Sequence, residues 1–467
     1  MKYFLLFAAV CVIDICTATA QTSICSSEDA YNCFAVIAGK NATSDGSVLL
    51  AHNEDDRGEQ MLNLYVVPHT DSTLKYLWAE FPGMEVADAF LNEYGVGIVS
   101  NSCPSKEDVK DFTDGGILYE VRTSAAKYAK SARDAVRILG KLVEERGYRG
   151  SGRTYSIADC NEAWIFSAVQ GRHWVAQRVP DDCVMALPNN YIIDYVDLSD
   201  TANFAGSADI IEYAIKRGWY NPERDGQFSF KKAYSKPTSY TSSRNVIRHL
   251  CALQYLTGNT YSPDPDTFEL FAKPNRKISL ADMVQILSCH GENTPHFNPD
   301  SNRKHQECIC VDRTVVSTIF QLRNNLPVEI GTVMWVCAGR PCVEAFIPWY
   351  SGMSKAPDGF GRFATAQEAI ERHFSDATQM RENWPDAATW KFVQRWETLM
   401  LNYDAVADNM KKTTSAFQKD LYMRQPQFEK SLRKLYHVPS LKIKDYKTLE
   451  KKLNDYTAKL YKEYIRP

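Results

Sequence analysis

Between Cys33 and about Tyr350 the chain is written in short apolar runs cut by turn residues, and this pattern limits the fold more than any other feature. Phe34 to Ala38 and Val48 to Ala51 flank Ser44-Asp45-Gly46-Ser47. An Asp-Gly pair between two such runs marks a hairpin. Gly95 to Ser100, Thr154 to Ala158, Ala163 to Ala168 and Trp174 to Arg178 read as further strands, each bounded by charged residues or glycine. Helices come between them. One spans Leu118 to Lys127, and a second opens at Ser131-Ala-Arg-Asp134, is carried by Ala135, Ile138, Leu139 and Leu142, and stops at Gly147. Runs of strands followed by paired helices point to sheets packed under helical layers, an α+β architecture.

The two ends of the chain differ from this middle. Met1 to Ala20 carries Lys2, an apolar run from Tyr3 to Ile13 and the small-residue ending Ala18-Thr19-Ala20, which reads as a secretory signal peptide. An extracellular, periplasmic or lysosome-like destination is expected. No later stretch is apolar for long enough to span a bilayer. The carboxy-terminal hundred residues read as helical: Thr365-Ala-Gln-Glu368 forms a capping box, and Trp390, Val393, Trp396, Leu399, Tyr403 and Val406 recur at helical spacing. From Pro426 to Pro467 eleven basic residues face five acidic ones, which reads as a solvated amphipathic face.

Charge and motifs exclude several functions. A net charge of −3 gives no general attraction to phosphate backbones or anionic lipid, so neither nucleic acid nor a membrane surface is an expected partner. The chain has no phosphate-binding glycine loop, no His-Glu-x-x-His and no Gly-x-Ser-x-Gly. Of thirteen cysteines, Cys11 and Cys16 lie in the signal and eleven enter an oxidising route, where disulfides are expected. Cys337 and Cys342 bracket Ala-Gly-Arg-Pro and form the favoured bridge, while Cys308 and Cys310 are two apart and expected on one face of a strand. Cys289, His290, His296, His305, Cys308 and Cys310 match no zinc-ligand spacing, so no metal and no other cofactor is expected. Asn41-Ala-Thr43 is a glycosylation acceptor sequence if the source is eukaryotic.

Cys33 combines several of these signals. It opens the first strand and follows a polar segment, residues 21–32, that has the character of a removable propeptide. Cutting before Cys33 would leave one residue with both a thiol and an α-amine. The amine titrates near 7.7 to 8 and the thiol near 8.5, so the amine can take the thiol proton at neutral pH.

The run Cys33-Phe-Ala-Val-Ile-Ala-Gly-Lys-Asn-Ala-Thr-Ser-Asp-Gly-Ser47, followed by Leu50-Ala-His-Asn-Glu-Asp55, resembles the amino end of the dipeptidase A and secernin family of N-terminal nucleophile hydrolases. The resemblance continues in Asn92-Glu-Tyr-Gly-Val-Gly97, Thr154-Tyr-Ser-Ile-Ala-Asp159, Trp174 to Pro180, Phe228 to Ser235 and Phe346-Ile-Pro-Trp-Tyr350. It implies a four-layer αββα sandwich over residues 33–355, a helical region over 356–467, and hydrolysis of the amide bond of dipeptides with Cys33 as nucleophile. It also implies that Asp55 orients the nucleophile's amine and that Asn101 and the Asn189-Asn190 pair supply oxyanion donors, Asn189 being favoured. His52 stands where the family carries arginine and is expected to contact substrate. Imidazole cannot hold a carboxylate bidentately as guanidinium does, so a changed specificity, an acid optimum or lost activity each fit. Two alternatives stay open: an acylase-type amide hydrolase of the same fold, and a non-catalytic interaction protein. Self-association into a homo-oligomer is also left open.

Overall fold

Phe34–Ala38 (β1) and Val48–Asp55 (β2) pair antiparallel with Phe34 opposite Asn53, and every residue of both strands is buried. Burial on both faces explains why they read as continuous apolar runs rather than alternating ones. The connection between them, residues 39–47, is longer than a two-residue turn. Asp45 serves it through its side chain, accepting from Ser47 N at 3.1 Å, while Gly46 takes φ 76°. The structure is a computed structural model described over residues 33–56, 62–80, 87–118, 120–292, 308–361, 381–382, 384–437, 440 and 442–465. The expected signal peptide, the segment 21–32, the Thr365–Glu368 capping box, His296 and His305 lie outside the described residues.

Twelve further strands follow: Asn63–Val67 (β3), Tyr76–Glu80 (β4), Ala87–Asn92 (β5), Gly97–Ser102 (β6), Tyr148–Ala158 (β7), Ala163–Gly171 (β8), Trp174–Val179 (β9), Val184–Leu187 (β10), Phe204–Gly206 (β11), Thr314–Leu322 (β12), Thr332–Ala338 (β13) and Ile347–Tyr350 (β14). They form a six-stranded sheet, β10-β1-β2-β12-β13-β14, and an eight-stranded sheet, β11-β9-β8-β7-β6-β5-β4-β3. β6 begins two residues later than the sequence pattern indicates, because Gly95 is held in a turn at φ 78° with its N–H on Asn92 O. The sheets lie face to face, β1 against β6 and β2 against β7. Gly97 marks how close they come: a Cβ there would sit 2.7 Å from the Phe320 ring of β12.

Helices Glu120–Tyr128 (α1) and Ala132–Arg146 (α2) cover the outer face of the eight-stranded sheet. α2 starts where Ser131 Oγ accepts from Asp134 N at 3.1 Å and ends at Gly147, whose φ of 80° favours glycine. Helices Ser243–Thr257 (α3) and Leu280–Leu287 (α4) cover the outer face of the six-stranded sheet. The order is therefore helix, sheet, sheet, helix, the expected αββα sandwich.

Thr389–Leu401 (α5), Tyr403–Leu432 (α6) and Tyr446–Tyr464 (α7) form the carboxy-terminal helical region. The apolar spacing from Trp390 to Val406 crosses a break at Asn402 between α5 and α6. Leu421, Leu432, Leu449, Leu453 and Leu460 join the same core as β1 and β2. Polar contacts fix the docking: Arg323 donates to both carboxylate oxygens of Glu429 at 2.8 and 2.7 Å, and Trp349 Nε1 donates to Tyr461 OH at 3.0 Å.

Two cysteine expectations are corrected. No disulfide occurs among the described residues, and Cys337 is not bonded to Cys342. Cys337 is enclosed at the end of β13, its thiol directed at Gly339 O and Glu344 O at 3.7 Å, whereas Cys342 sits with Cys310 and His290. Nor do Cys308 and Cys310 share a strand face. They lie in a bend in which Ile309 N and Cys310 N both donate to Cys289 O, at 3.1 and 3.0 Å, so the two thiols diverge into separate clusters.

Candidate active site

β2 sets the site by alternation. His52 and Glu54 face the eight-stranded sheet, while Asn53 and Asp55 face α3 and α4; Asn53 Nδ2 donates to Leu287 O and Ile309 O at 2.9 and 3.0 Å. Cys33, at the head of the neighbouring β1, is 1% exposed and donates its thiol proton to Glu54 Oε1 at 3.2 Å. Burial first, and then the Glu54 charge, push this thiol well above its usual range. The Glu54 carboxyl is raised by burial and pulled back by the guanidinium groups of Arg122 and Arg153. His52 Nε2 lies 3.8 Å from Glu54 Oε2. Burial, and then Arg122, lower the His52 pKa to about 3, so its imidazole is neutral in ordinary buffers.

On the other face of β2, Asp55 Oδ1 accepts from Thr314 Oγ1 at 2.7 Å, and Asp55 Oδ2 is buried with no hydrogen-bond partner. Burial raises the Asp55 carboxyl to about 8, against the downward pull of Thr314 and Arg248. Arg248, on α3 and 1% exposed, joins this face to Cys33. It donates to Cys33 O at 3.2 Å, to Asn189 Oδ1 at 2.8 Å and to Asn245 Oδ1 at 2.7 Å. Asn189 Nδ2 donates to Ser102 O at 3.0 Å, and Asn101 Nδ2 to Leu187 O at 3.1 Å, while Asn101 Oδ1 is buried without a partner. Asn101 Nδ2 also reaches Pro188 O at 3.5 Å, whereas an amide nitrogen carries two hydrogens and Asn189 Nδ2 uses one of them on Ser102 O.

Of the residues read from sequence, the structure joins Cys33 to His52 through Glu54, and to Asn189 through Arg248, with Asp55 on the opposite face of the strand that carries His52 and Glu54. Asn190 stands apart: its amide donates to Tyr191 O at 2.9 Å and lines a cavity with His249 and Lys231. Glu54, Arg122, Arg153 and Arg248 were not anticipated. Glu54 was within reach, since alternation puts it on the same strand face as His52. The arginines carry no local signal, because each belongs to an element distant in sequence.

The ligand atoms of Cys33, His52 and Glu54 lie within 4.8 Å of one another, a spacing that could hold a cation. The positive charges of Arg122 and Arg153 act on the same group and oppose a cation there. What the arrangement offers is a thiol at a strand end, a buried carboxylate on either face of the adjacent strand, and amide donors beside them. That is the equipment of a thiol amide hydrolase.

The profile of Peptidase family C69 matches residues 111–387, more than half of the chain. The protein belongs to this family, and is a peptide amide hydrolase. A "Probable dipeptidase" of Salmonella dublin is 29% identical over 355 residues, covering 69% of this chain and 81% of that protein. The "Dipeptidase A" of Lactobacillus helveticus is 26% identical over 370 residues, covering 70% and 77%. The structure of penicillin V acylase from Agrobacterium tumefaciens overlays with a TM-score of 0.37 at 12% identity, covering 68% of this chain and 86% of that one.

Proposed function

We propose that this protein is a secreted or lumenal cysteine dipeptidase, activated by removal of residues 21–32 so that Cys33 becomes the amino terminus. The observation that carries the reading is an enclosed Cys33 thiol at the head of β1 with a buried, partnerless Asp55 Oδ2 at the end of the next strand, close enough for the Asp55 charge to act on Cys33. Burial keeps the Asp55 carboxyl high, at about 8, while the chain continues past Cys33. An ammonium group at Cys33 would supply the missing partner and draw that pKa down, since an opposite charge nearby favours the ionised form. The dipeptidase names of the similar proteins from Salmonella dublin and Lactobacillus helveticus support the substrate class.

In this mechanism the α-amine of Cys33 accepts the thiol proton, and the thiolate attacks the scissile carbonyl. The second N–H of Asn189 stabilises the oxyanion, joined by Asn101 once its longer contact to Pro188 O gives way to substrate. The ammonium then protonates the leaving amine. Water attacks the resulting thioester, returning the thiol and releasing the acid. Arg248 positions the nucleophile by holding Cys33 O and Asn189 Oδ1 together. With His52 neutral, the positive charges of Arg122 and Arg153, which act on both His52 and Glu54, are what favours a substrate carboxylate near this group.

The test is turnover of a dipeptide panel, beside N-acyl amino acids, by the wild-type protein and Cys33→Ala. Dipeptide hydrolysis that disappears in the variant is expected. Equal activity of Cys33→Ala, or turnover of acyl substrates alone, would overturn the proposal.

A further inference from the structure

On the far side of the six-stranded sheet from Glu54, three backbone segments bring ligand-type side chains together. His290 follows the end of α4, Cys310 lies in the bend before β12, and Cys342 follows β13; one ligand atom from each lies within 4.8 Å of the other two. The segments are tied at their backbones. Cys310 N donates to Cys289 O at 3.0 Å, next to His290, and Ser288 Oγ donates to Pro341 O at 2.9 Å, next to Cys342. Arg340, whose positive charge acts on Cys310 and Cys342, is fixed in turn by donating to Asp312 O at 2.9 Å, and the nearby Glu344 and Asp312 charges offset it. The site is thus held by contacts other than those among the three side chains themselves.

We infer that His290, Cys310 and Cys342 form a binding site for one thiophilic divalent cation of the zinc class. Two thiolates and an imidazole suit zinc, and bonds of about 2.3 Å to sulfur and about 2.0 Å to nitrogen put tetrahedral ligand atoms roughly 3.5–3.8 Å apart. The three ligand atoms, within 4.8 Å of one another, would draw in to this spacing around the ion. His290 also has a supporting carboxylate: Glu292 Oε1 lies 3.5 Å from Nδ1, and Oε2 accepts from His290 N at 2.7 Å. A carboxylate behind a ligating imidazole orients the ring and strengthens it as a ligand. His290 and Cys310 are buried, while Cys342 is partly exposed, and His290, Glu292 and Cys342 line a cavity of about 400 Å³ bounded also by Lys411 and Gln418. That cavity gives the ion a path in and leaves a fourth position for water. On binding, Cys310 and Cys342 each release a proton to solvent, so the two thiolates neutralise the two charges of the ion and no oxidant or reductant is needed.

The long separation along the chain, His290 to Cys310 to Cys342, is why no ligand motif shows in the sequence. A second cluster, Cys251, Cys289 and Cys308, lies nearby, with Cys251 and Cys308 sulfurs 3.5 Å apart, so the experiment must tell the two groups apart. The full-length protein, reduced and stripped with a chelator, is titrated anaerobically with Co²⁺ and read by the sulfur-to-cobalt charge-transfer band. Cys342→Ser and His290→Gln are each expected to remove one equivalent of thiolate-bound cobalt, and Cys251→Ser to leave that equivalent in place. Glu292→Gln should weaken it by roughly 10–100-fold, the usual effect of losing such a support. Circular dichroism checks that each variant is folded. The inference is overturned if Co²⁺ gives no thiolate band, if Cys342→Ser and His290→Gln both leave the band unchanged, or if Cys310 and Cys342 prove bonded to each other in the protein as made.

Discussion

Replacing Arg248 tests how the two faces of β2 are held in one site. Arg248→Met keeps much of the side-chain length and removes three donated hydrogen bonds, to Cys33 O, Asn189 Oδ1 and Asn245 Oδ1. Counting each charged hydrogen bond at roughly 1.5–3 kcal/mol would give about 4.5–9 kcal/mol, but such terms do not add when one side chain supplies them all. Removing one member of a buried charged group costs about 3–5 kcal/mol, and that is the expected loss. For a 467-residue chain, an unfolding entropy of roughly 2.1 cal/mol/K per residue totals about 1 kcal/mol/K, so Tm should fall by about 3–5 °C. Calorimetry reads this directly. Dipeptide turnover should fall by roughly 100-fold, the cost of a misplacement of about 1 Å, because Cys33 and Asn189 are released from their common anchor. Arg248→Lys retains the charge opposite Asp55 without the fork, and should fall between the two in both measurements. A Tm within about 1 °C of wild type, with activity intact, would refute the positioning role.

Three further outcomes follow from the local physics. Ser131→Ala removes the cap of α2 and should cost about 1 kcal/mol, read as a shift in urea midpoint with the slope unchanged. Gly140→Ala places a methyl where a Cβ would lie 2.2 Å from the Trp174 ring, and should destabilise by about 1–3 kcal/mol despite alanine's better helix propensity. His52 binds its proton less tightly in the folded state, about 3 against 6.5, so acid favours unfolding and stability is lost as pH falls between those values. His52→Gln should therefore shrink the loss between pH 7 and pH 4 by up to about 3 kcal/mol, from 1.36 kcal/mol per pH step below 6.5, in urea unfolding at the two pH values.

What the sequence disclosed was local. The β1–β2 hairpin, Cys33 at its head, and α2 between Ser131 and Gly147 are each written within a few neighbouring residues, by apolar runs, a cap and a glycine stop. Asp55, Asn101 and Asn189 were reachable through a motif, and Glu54 through strand alternation from His52. Arg248 was not: it sits 215 residues from the carbonyl it holds, on a helix whose sequence reads only as amphipathic. The cysteines failed for the same reason. Cys337 and Cys342 are close along the chain, but β13 encloses one thiol while the turn after it delivers the other to Cys310. Proximity in sequence is a poor guide to where a thiol points when a strand ends between two of them.

The amino-terminal residue of the purified mature protein tests the central claim most directly. Edman sequencing that begins at Cys33 is predicted, placing thiol and α-amine on one residue beside Asp55. A mature chain beginning at Gln21 would contradict it, because an amine held in a peptide bond cannot take the thiol proton.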